Sequence, residues 1–312
     1  MQITVVGSIA FDAVSTPFGK RDRMLGGAAT HFALAASFFD TVQVVGCVGE
    51  DFTDSDLAVL RTRGTGVGDV ERVAGGETFT WRGEYGWDLN SRRTLATELN
   101  VFAEFEPRLS DASRSSEALF LANIHPQLQL RVLELCERPR FVALDSMNLW
   151  IESERDALIE VIERVDCVIL NDAELRQLTR EANVVAAARA LLACGPTAVV
   201  AKQGEYGAAL VTQDAFFALP AYPLENVIDP TGAGDSFAGG FVGYLARHLE
   251  APITDSVLRR AMAHGTALAS FNVEEFGIGG MVPLEAEDIQ ERVSELSKIT
   301  QFEHAPIELL SC

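Results

Sequence analysis

Short apolar runs alternate with helical patterns along most of the chain. Runs such as ITVVG, VQVVGCVG, FVALDS and CVILND are rich in β-branched residues and show no alternation at a spacing of two, which is typical of strands buried on both faces. Segments between them, such as THFALAASFF and RDALIEVIERV, repeat their apolar positions at helical spacing. This order predicts an α/β domain with a parallel sheet, whose ligands bind beyond the carboxyl ends of the strands.

One segment, ETFTWRGEYGWDLNSRRTLATELNVFAEFEP, breaks this rhythm. Its aromatic residues share one side at a spacing of two: Phe79, Trp81, Tyr85 and Trp87. The pattern predicts an inserted antiparallel sheet, either a hairpin packed on the core or a lid that closes over a substrate or meets a second subunit. We favour the lid or dimer interpretation, because so small a sheet with an aromatic face needs a covering surface.

Composition narrows the class of protein. The 312 residues, 48% of them hydrophobic, can bury a full core as one large domain or two modest ones. A net charge of −20 repels nucleic acid and anionic membranes, so we expect neither as a partner. Five cysteines without a Cys-x-x-Cys pair, four of them in or beside apolar runs, predict buried free thiols. With no basic leader and no membrane-length apolar run, the sequence predicts a cytoplasmic protein.

The stretch DPTGAGDSFAGG, residues 229–240, joins small residues to one acid at the start of a helical pattern. Gly232, Ala233 and Gly234 leave backbone N–H groups uncovered beside the positive end of a helix dipole, which predicts an anion site. Asp235 would repel that anion unless it removes a proton from the group that attacks it. Phosphoryl transfer needs these two elements and a cation on the phosphates. We expect the surrounding dipoles to favour the ionised form of Asp235 at neutral pH.

Two features near the N-terminus suit a polar ligand. Asp12 follows the first strand in VVGSIAFD with no helical pattern after it, and its planar carboxylate suits two neighbouring sugar hydroxyls. Gly26 and Gly27 precede a helix in MLGGAATHF, where they serve either a tight helix start or a close approach of backbone to ligand.

Two further features are weaker alone. Asn171 and Glu174 lie one helical turn apart in VILNDAELRQLT and could hold Mg²⁺ through water, although a plain capping box is the interpretation that we favour for this pair in isolation. The turn in VVAKQGEYGAALV contains Lys202 and Gly204 and is a weak nucleotide signal. No segment matches a Walker loop, and GSIAFD lacks the glycines of a dinucleotide fingerprint.

These pieces in this order resemble the ribokinase-like, or PfkB, family of carbohydrate and nucleoside kinases, over nearly the whole chain. The most specific part of the resemblance is DPTGAGDSFAGGF. It implies a single domain over 1–312 with an α/β ribokinase-like fold: a central, mostly parallel sheet flanked by helices, and a small antiparallel β lid formed by roughly 13–25 and 75–105.

The resemblance also implies roles for individual residues. Asp235 would be the base, with Gly232, Ala233 and Gly234 as the anion hole. Asn171 and Glu174 would organise Mg²⁺ through water, and Asp229 would stand near the K⁺ that several members use. The nucleotide contacts would be Asn171, Glu174, Lys202, Gly204, Thr231 and His264, and the acceptor contacts would be Asp12, Gly26, Gly27, His31 and Asn123. His31 stands where the family usually has Asn, and SFNVEEFGIGG aligns poorly, so the need for K⁺ stays open.

The sequence therefore predicts an ATP-dependent kinase that phosphorylates a hydroxymethyl group of a sugar. A nucleoside kinase of the same family, a non-catalytic nucleotide-binding relative and a nicotinamide-dependent oxidoreductase remain as alternatives, of which the last is disfavoured by GSIAFD. A phosphosugar acceptor would need a basic cluster, for which Lys20, Arg21, Arg92 and Arg93 are candidates, although a solvated surface is the simpler interpretation. Expected partners are a sugar or nucleoside and, through the lid, a second copy of the chain.

Overall fold

The computed structural model describes residues 2–302. A nine-stranded sheet forms its centre, in the order β13-β12-β11-β10-β9-β8-β1-β4-β5. These strands are β1 (Gln2–Val6), β4 (Thr41–Val48), β5 (Gly66–Arg72), β8 (Ala118–Leu121), β9 (Phe141–Leu144), β10 (Cys167–Asn171), β11 (Ala198–Lys202), β12 (Ala208–Thr212) and β13 (Phe216–Leu219). The strands from β5 to β11 in this order are parallel, and β12 and β13 complete the sheet as antiparallel strands.

Helices cover both faces of this sheet, as the alternating pattern predicts. The helices are α1 (Ala28–Ala36), α2 (Asp54–Leu60), α3 (Asp111–Arg114), α4 (Pro126–Leu135), α5 (Asn148–Ser153), α6 (Arg155–Ile162), α7 (Asp172–Thr179), α8 (Val184–Leu192), α9 (Ala233–Ala246), α10 (Asp255–Val273) and α11 (Ala286–Ile299). One apolar core lies between the sheet and α1, α9 and α10, and the other between the sheet and α4, α6, α7 and α8. The predicted α/β class is confirmed.

A second, four-stranded sheet has the order β3-β2-β6-β7. Its strands are β2 (Ala10–Thr16), β3 (Gly19–Gly26), β6 (Phe79–Tyr85) and β7 (Arg92–Glu98). β2 and β3 form one antiparallel hairpin, and β6 and β7 form the other. The two hairpins join through a parallel pairing of β2 with β6. The parallel pairing arises because a long crossover through α1, β4, α2 and β5 separates the two strands.

The aromatic face of this small sheet is shorter than the sequence predicts. Phe79 stacks on Phe102, with 5.6 Å between ring centroids, and Tyr85 is buried. Strand β6 ends at Tyr85, so Trp87 lies in the following turn with 87% of its surface exposed. The spacing-of-two pattern extended past the end of the strand, and its last aromatic residue is therefore not part of the covered face.

The described cysteines are free thiols, of which Cys47 and Cys167 are buried and Cys136 and Cys194 are partly buried. Burial raises the pKa of the Cys47 thiol to about 12, so it stays protonated at neutral pH. Cys312 lies outside the described residues. Within residues 2–302, no helix combines the length and the apolar character that crossing a membrane requires.

Helix α9 begins at Ala233, inside the 229–240 motif, and glycines let it approach α1 closely. A Cβ atom on Gly239 would overlap the backbone oxygen of Phe32 and lie 2.7 Å from the Cβ atom of Ala35. Substituting larger residues in such a contact forces helices apart. The position of the helix start, and hence of the motif, depends on this contact.

We expect Gly239→Ala to lower the free energy of unfolding by about 2 kcal/mol, although alanine favours helices, because its methyl group has no space against α1. Gly68→Ala is the matched control, since a Cβ atom there meets nothing within 4 Å. Urea midpoints at unchanged m-value measure both effects. Equal midpoints for the two variants would show that this contact does not hold α9 in place.

Candidate active site

The stretch DPTGAGDSFAGG forms a tight turn that leads into α9. Gly232 adopts the left-handed conformation, with φ +78°, and precedes the first helical residues Ala233, Gly234 and Asp235. A Cβ atom on Gly234 would lie 2.9 Å from the Nζ atom of Lys202, so the ammonium group lies directly against the turn. Backbone N–H groups at a helix start and an adjacent ammonium suit an anion.

The Asp235 carboxyl is largely, but not fully, buried in the first turn of α9. Burial raises its pKa to about 7 and the nearby charge of Asp145 adds to the rise, while Lys202 and Arg92 oppose it. We expected the local dipoles to keep Asp235 ionised at neutral pH. This expectation is wrong, because the loss of solvent around the carboxyl raises its pKa more than the dipoles lower it. Near pH 7 the group is divided between its two forms, which suits a residue that accepts and releases a proton.

A second group of side chains lies at the carboxyl ends of neighbouring parallel strands. Lys202 ends β11 and donates from Nζ to the Asp145 Oδ2 atom, just past β9, at 2.9 Å. Burial works against the ammonium, but Asp145, Glu174 and Asp235 together hold the pKa of Lys202 above its ordinary value. The lysine therefore stays charged. Its ion pair is with Asp145, so it does not block the Asp235 carboxylate.

Asn171 and Glu174 form the capping box that the sequence favours. The Asn171 side-chain oxygen accepts from the Glu174 N–H at 2.8 Å, and a Glu174 carboxylate oxygen accepts from the Asn171 N–H at 2.9 Å. Burial raises the pKa of Glu174 to about 7, with Asp145 adding to the rise and Lys202 opposing it. The cap and the ligand interpretations are compatible, because the box fixes Glu174 beside Lys202 and Asp145.

Asp12 lies inside β2, and not at the end of the first strand as the sequence suggests. Burial raises its pKa to about 7, with further contributions from Asp229 and Asp235, while the Gly27 N–H that it accepts lowers it. Gly26 leaves the space that the Asp12 carboxylate fills, since a Cβ atom there would overlap it. At Gly27, φ is +94° and a Cβ atom would lie 2.5 Å from the Ser8 backbone oxygen. These glycines thus serve packing around Asp12 and the helix start.

A hydrogen-bonded network connects the turn to α1 and α10. His31 is buried on α1, directly against Gly232, and its Nδ1 atom lies 2.9 Å from Asn272 Oδ1. The Asn272 amide donates to the Thr231 backbone oxygen at 2.7 Å, and its oxygen accepts from Ser236 Oγ at 3.0 Å. His31 therefore contacts both Gly232 in the turn and Asn272, whose side chain bonds to the turn.

The small sheet contacts both halves of the site through its second hairpin. The Tyr85 hydroxyl lies 3.2 Å from the Thr231 hydroxyl, and Asn90 at the hairpin tip donates to Glu205 Oε1 at 2.8 Å. Glu205 belongs to the turn that begins at Gly204. The positive charge of Arg92, the first residue of β7, lowers the pKa values of both Asp235 and Glu174. The hairpin thus extends from Thr231, in the turn before α9 that we call the phosphate turn (residues 231–234), to the predicted nucleotide turn that begins at Gly204.

Two predicted site residues lie apart from this cluster. His264 packs between α9 and α10, stacked on Tyr244 at 4.3 Å between ring centroids and bonded through Nδ1 to the Arg260 backbone oxygen at 2.8 Å. These contacts are those of a core residue, and a role of His264 beside the adenine stays a prediction. The Asn123 side-chain oxygen accepts from the Trp150 indole at 3.0 Å, and its contact with an acceptor stays a prediction.

Comparison with known proteins identifies the family and the fold of the chain. Residues 3–284 match the model of the pfkB family carbohydrate kinases. The chain belongs to the PfkB family. A cytidine kinase of Thermococcus kodakarensis is 30% identical in an alignment of 256 residues that covers 79% of this chain and 89% of the relative. A deoxyribokinase of Salmonella typhi is 32% identical in an alignment of 314 residues that covers 88% of this chain and 97% of the relative.

The fold of this PfkB protein is also that of solved structures. An aminoimidazole riboside kinase from Salmonella enterica, complexed with aminoimidazole riboside and an ATP analog, superposes with a TM-score of 0.71 at 21% identity, covering 94% of this chain and 100% of that one. The ribokinase-like fold is thereby confirmed. The protein is a sugar or nucleoside kinase, a phosphotransferase whose acceptor is a hydroxyl group. This membership excludes the oxidoreductase alternative.

Phosphoryl transfer from a nucleotide calls for a cation on the phosphates, and the described residues offer few oxygens to hold Mg²⁺. Within residues 2–302, no three His, Cys, Asp or Glu side chains are grouped to hold a metal ion directly. Glu174 uses one oxygen in its capping box, and Lys202 engages Asp145. Water molecules between Glu174 and a phosphate-bound ion are the arrangement that these contacts permit.

Sequence analysis missed three residues of this PfkB site. Asp145 follows the short strand FVAL, and its position at a strand end was the signal that could have identified it. Asn272 lies in the poorly aligned segment SFNVEEFGIGG, where spacing gives no guidance. Arg92 was named only as part of a solvated basic cluster, because nothing in the sequence shows that β7 brings it towards Asp235.

We expect Arg92→Ala to lower kcat/KM at pH 7 about three- to tenfold and to shift its acidic limb to higher pH, because Asp235 loses a charge that favours ionisation. Arg93→Ala is the control, since Arg93 pairs with Glu84 at 2.6 Å and should change kcat/KM less than about twofold. Initial rates between pH 5.5 and 9 give the comparison. Identical profiles for the two variants would remove Arg92 from the site.

Proposed function

We propose that this protein is a cytoplasmic ATP-dependent kinase that transfers the γ-phosphoryl group of ATP to the hydroxymethyl group of a sugar, with Asp235 as the base. The observation that carries the proposal is one buried carboxyl, with a pKa of about 7, at the start of a glycine-rich helix beside a charged lysine. Nucleoside kinase activity is the second candidate, because a cytidine kinase and nucleoside kinases are among the relatives.

In this proposal the acceptor lies between Asp12 and Asp235. The ionised Asp12 carboxylate accepts hydrogen bonds from neighbouring ring hydroxyls and so aims the hydroxymethyl group at the turn. Its pKa of about 7 means that a bound diol, which donates to the ionised form, helps to hold the charge. Asp12 is a binding residue and takes no proton from the reacting oxygen.

The reaction needs one proton transfer and one displacement. Asp235 accepts the proton of the hydroxymethyl group while the oxygen of that hydroxymethyl group forms a bond to the γ-phosphorus. The bond between the γ-phosphorus and the β,γ-bridging oxygen breaks, which releases ADP. Backbone N–H groups of Gly232 and Gly234, with Lys202 beside them, stabilise the negative charge on the transferred group, whereas the Ala233 N–H donates to the Pro230 oxygen at 3.2 Å and holds the turn. Mg²⁺, when bound with ATP and held through water near Glu174, neutralises part of the phosphate charge.

The proposal predicts ADP release with one class of acceptor. A coupled assay over pentoses, hexoses, their phosphates and nucleosides should give turnover with a free sugar or a nucleoside, and Asp235→Asn should lower kcat about 10²- to 10⁴-fold. In the wild type, kcat/KM should rise as pH increases through about 7, because only ionised Asp235 accepts a proton. Turnover of Asp235→Asn close to that of the wild type would refute the assignment.

A folding control accompanies this variant. The folded protein keeps the Asp235 proton between pH about 4 and about 7, where the unfolded chain releases it, so ionisation lowers stability as pH rises through this range. Asp235→Asn does not titrate, and its melting temperature at pH 8 should therefore exceed that of the wild type by a few degrees. A less stable variant would mean that lost structure, not a lost base, explains lost turnover.

We also propose that a second copy of the chain covers the outer side of the lid. Leu95 on β7 is 49% exposed, and Trp87 in the turn between β6 and β7 is 87% exposed, so one hairpin presents two large apolar side chains to solvent. Light scattering after size-exclusion chromatography should show a dimer that Leu95→Asp converts to a monomer. Phe216→Asp, at an equally exposed residue on β13, should leave the dimer intact. A monomeric wild type would exclude the interface.

A further inference from the structure

Asn272 lies at the centre of the network beneath the phosphate turn. It is fully buried near the end of α10 and bonds to three elements of the fold. The Thr231 backbone oxygen can only accept, so the Asn272 NH₂ group must face it, at 2.7 Å. The Asn272 oxygen then accepts from Ser236 Oγ and from His31 Nδ1. Every polar atom of this amide is thus committed by geometry, apart from the second hydrogen of its NH₂ group.

This orientation also fixes the tautomer of His31. Since its Nδ1 atom donates to Asn272, the proton of the neutral ring lies there. Burial lowers the pKa of His31, which keeps the ring neutral. The His31 Nε2 atom is a buried lone pair without a partner among the described residues. Such a ring cannot supply positive charge to the turn, so the Asn272 amide is the donor on this side.

The oxygens around the turn are already bonded to N–H donors. The carboxylate oxygens of fully buried Asp229 accept from the Thr231 N–H at 2.9 Å and the Gly277 N–H at 3.0 Å. The Val273 backbone oxygen accepts from the Ile228 N–H at 2.8 Å. A bound K⁺ needs a shell of oxygens that turn their lone pairs towards it. Here the Asn272 N–H group takes one of the two lone pairs of the Thr231 oxygen from within the fold, and its positive end would repel a cation beside it. These bonds disfavour a K⁺ site at the turn.

We propose that Asn272 is a positioning residue that fixes the phosphate turn from within, and that this enzyme therefore works without K⁺. The inference rests on the proposed role of the Thr231–Gly234 turn in phosphoryl transfer. The amide N–H does what a monovalent cation would do at the Thr231 oxygen: it holds the carbonyl in one direction and thereby orients the N–H groups that follow. Asn272 touches neither reactant.

Asn272→Asp is the decisive substitution. The side chain keeps its size and can still accept from Ser236 and His31, but the NH₂ donor becomes a second carboxylate oxygen that faces the Thr231 oxygen. Two oxygens facing each other without a donor repel, and a cation between them relieves the repulsion. The variant should therefore acquire the K⁺ response that the wild type lacks.

The experiment measures kcat and KM with K⁺ replaced stepwise by tetramethylammonium, up to about 100 mM, at constant ionic strength. Constant ionic strength matters because salt screens the repulsion within a chain of net charge −20. Wild-type kcat should stay within about twofold throughout. In tetramethylammonium, Asn272→Asp and Asn272→Ala should lose about tenfold in kcat with little change in KM, and K⁺ should restore the Asp variant alone.

A melting experiment without substrate gives an independent measurement. Potassium should raise the melting temperature of Asn272→Asp relative to tetramethylammonium, and should leave the wild type unchanged. Ser236→Ala is the control within the network, because it loses a bond to the Asn272 oxygen and keeps the donor to Thr231. It should respond to K⁺ in neither assay.

The outcomes separate this inference from the proposed function. If no acceptor in the screen is phosphorylated, the proposed function fails, while the melting comparison still tests Asn272. A wild type that K⁺ activates tenfold or more overturns the inference, as does an Asn272→Asp variant that ignores K⁺ in both assays.

Discussion

Negative charges face one another across this site, in surroundings that exclude water. Asp12 and Asp229 are buried, the charges of Asp229 and Asp235 reach Asp12, and Glu174 lies beside Asp145. Burial raises the pKa values of Asp12, Glu174 and Asp235 to about 7, and a neighbouring acid adds to each rise. Lys202 lies among them, and its pairing with Asp145 keeps the cluster compatible with the folded state.

This balance of charge determines what the site can bind. In the proposed function a nucleotide would bring further negative charge, and the groups that could meet it are backbone N–H groups, the ammonium of Lys202 and the guanidinium of Arg92 on β7. Each of these groups donates hydrogen bonds and keeps its proton, so none of them takes the place of Asp235 as the proton acceptor. The protein as a whole is strongly acidic, so attraction of an anionic ligand depends on these few local groups.

The lid and the network beneath the turn hold the same segment from opposite sides. Tyr85 reaches Thr231 from the small sheet, and Asn272 reaches its backbone oxygen from α10. The Asn90–Glu205 contact extends the same hairpin to the turn after β11. A segment fixed at its hydroxyl, its carbonyl and its N–H has little freedom, and preorganised donors of this kind need not rearrange as charge develops.

The sequence by itself determined the layers of the fold and the chemical centre. Alternating apolar runs predict strands and helices because their periodicity is local, and the 229–240 motif is recognisable because its residues act as neighbours in the chain. The sequence also gave the Asn171–Glu174 cap, whose partners are three residues apart.

The tertiary structure decided what depends on residues far apart in the chain. Asp145 and Lys202 are 57 residues apart, and His31 and Asn272 are 241 apart, so no local pattern pairs them. The end of β6, which leaves Trp87 exposed, follows from its pairing with β2 and β7. The pKa of Asp235 also required the fold, because burial is a property of everything that surrounds the group, and a motif cannot report how much water its neighbours exclude.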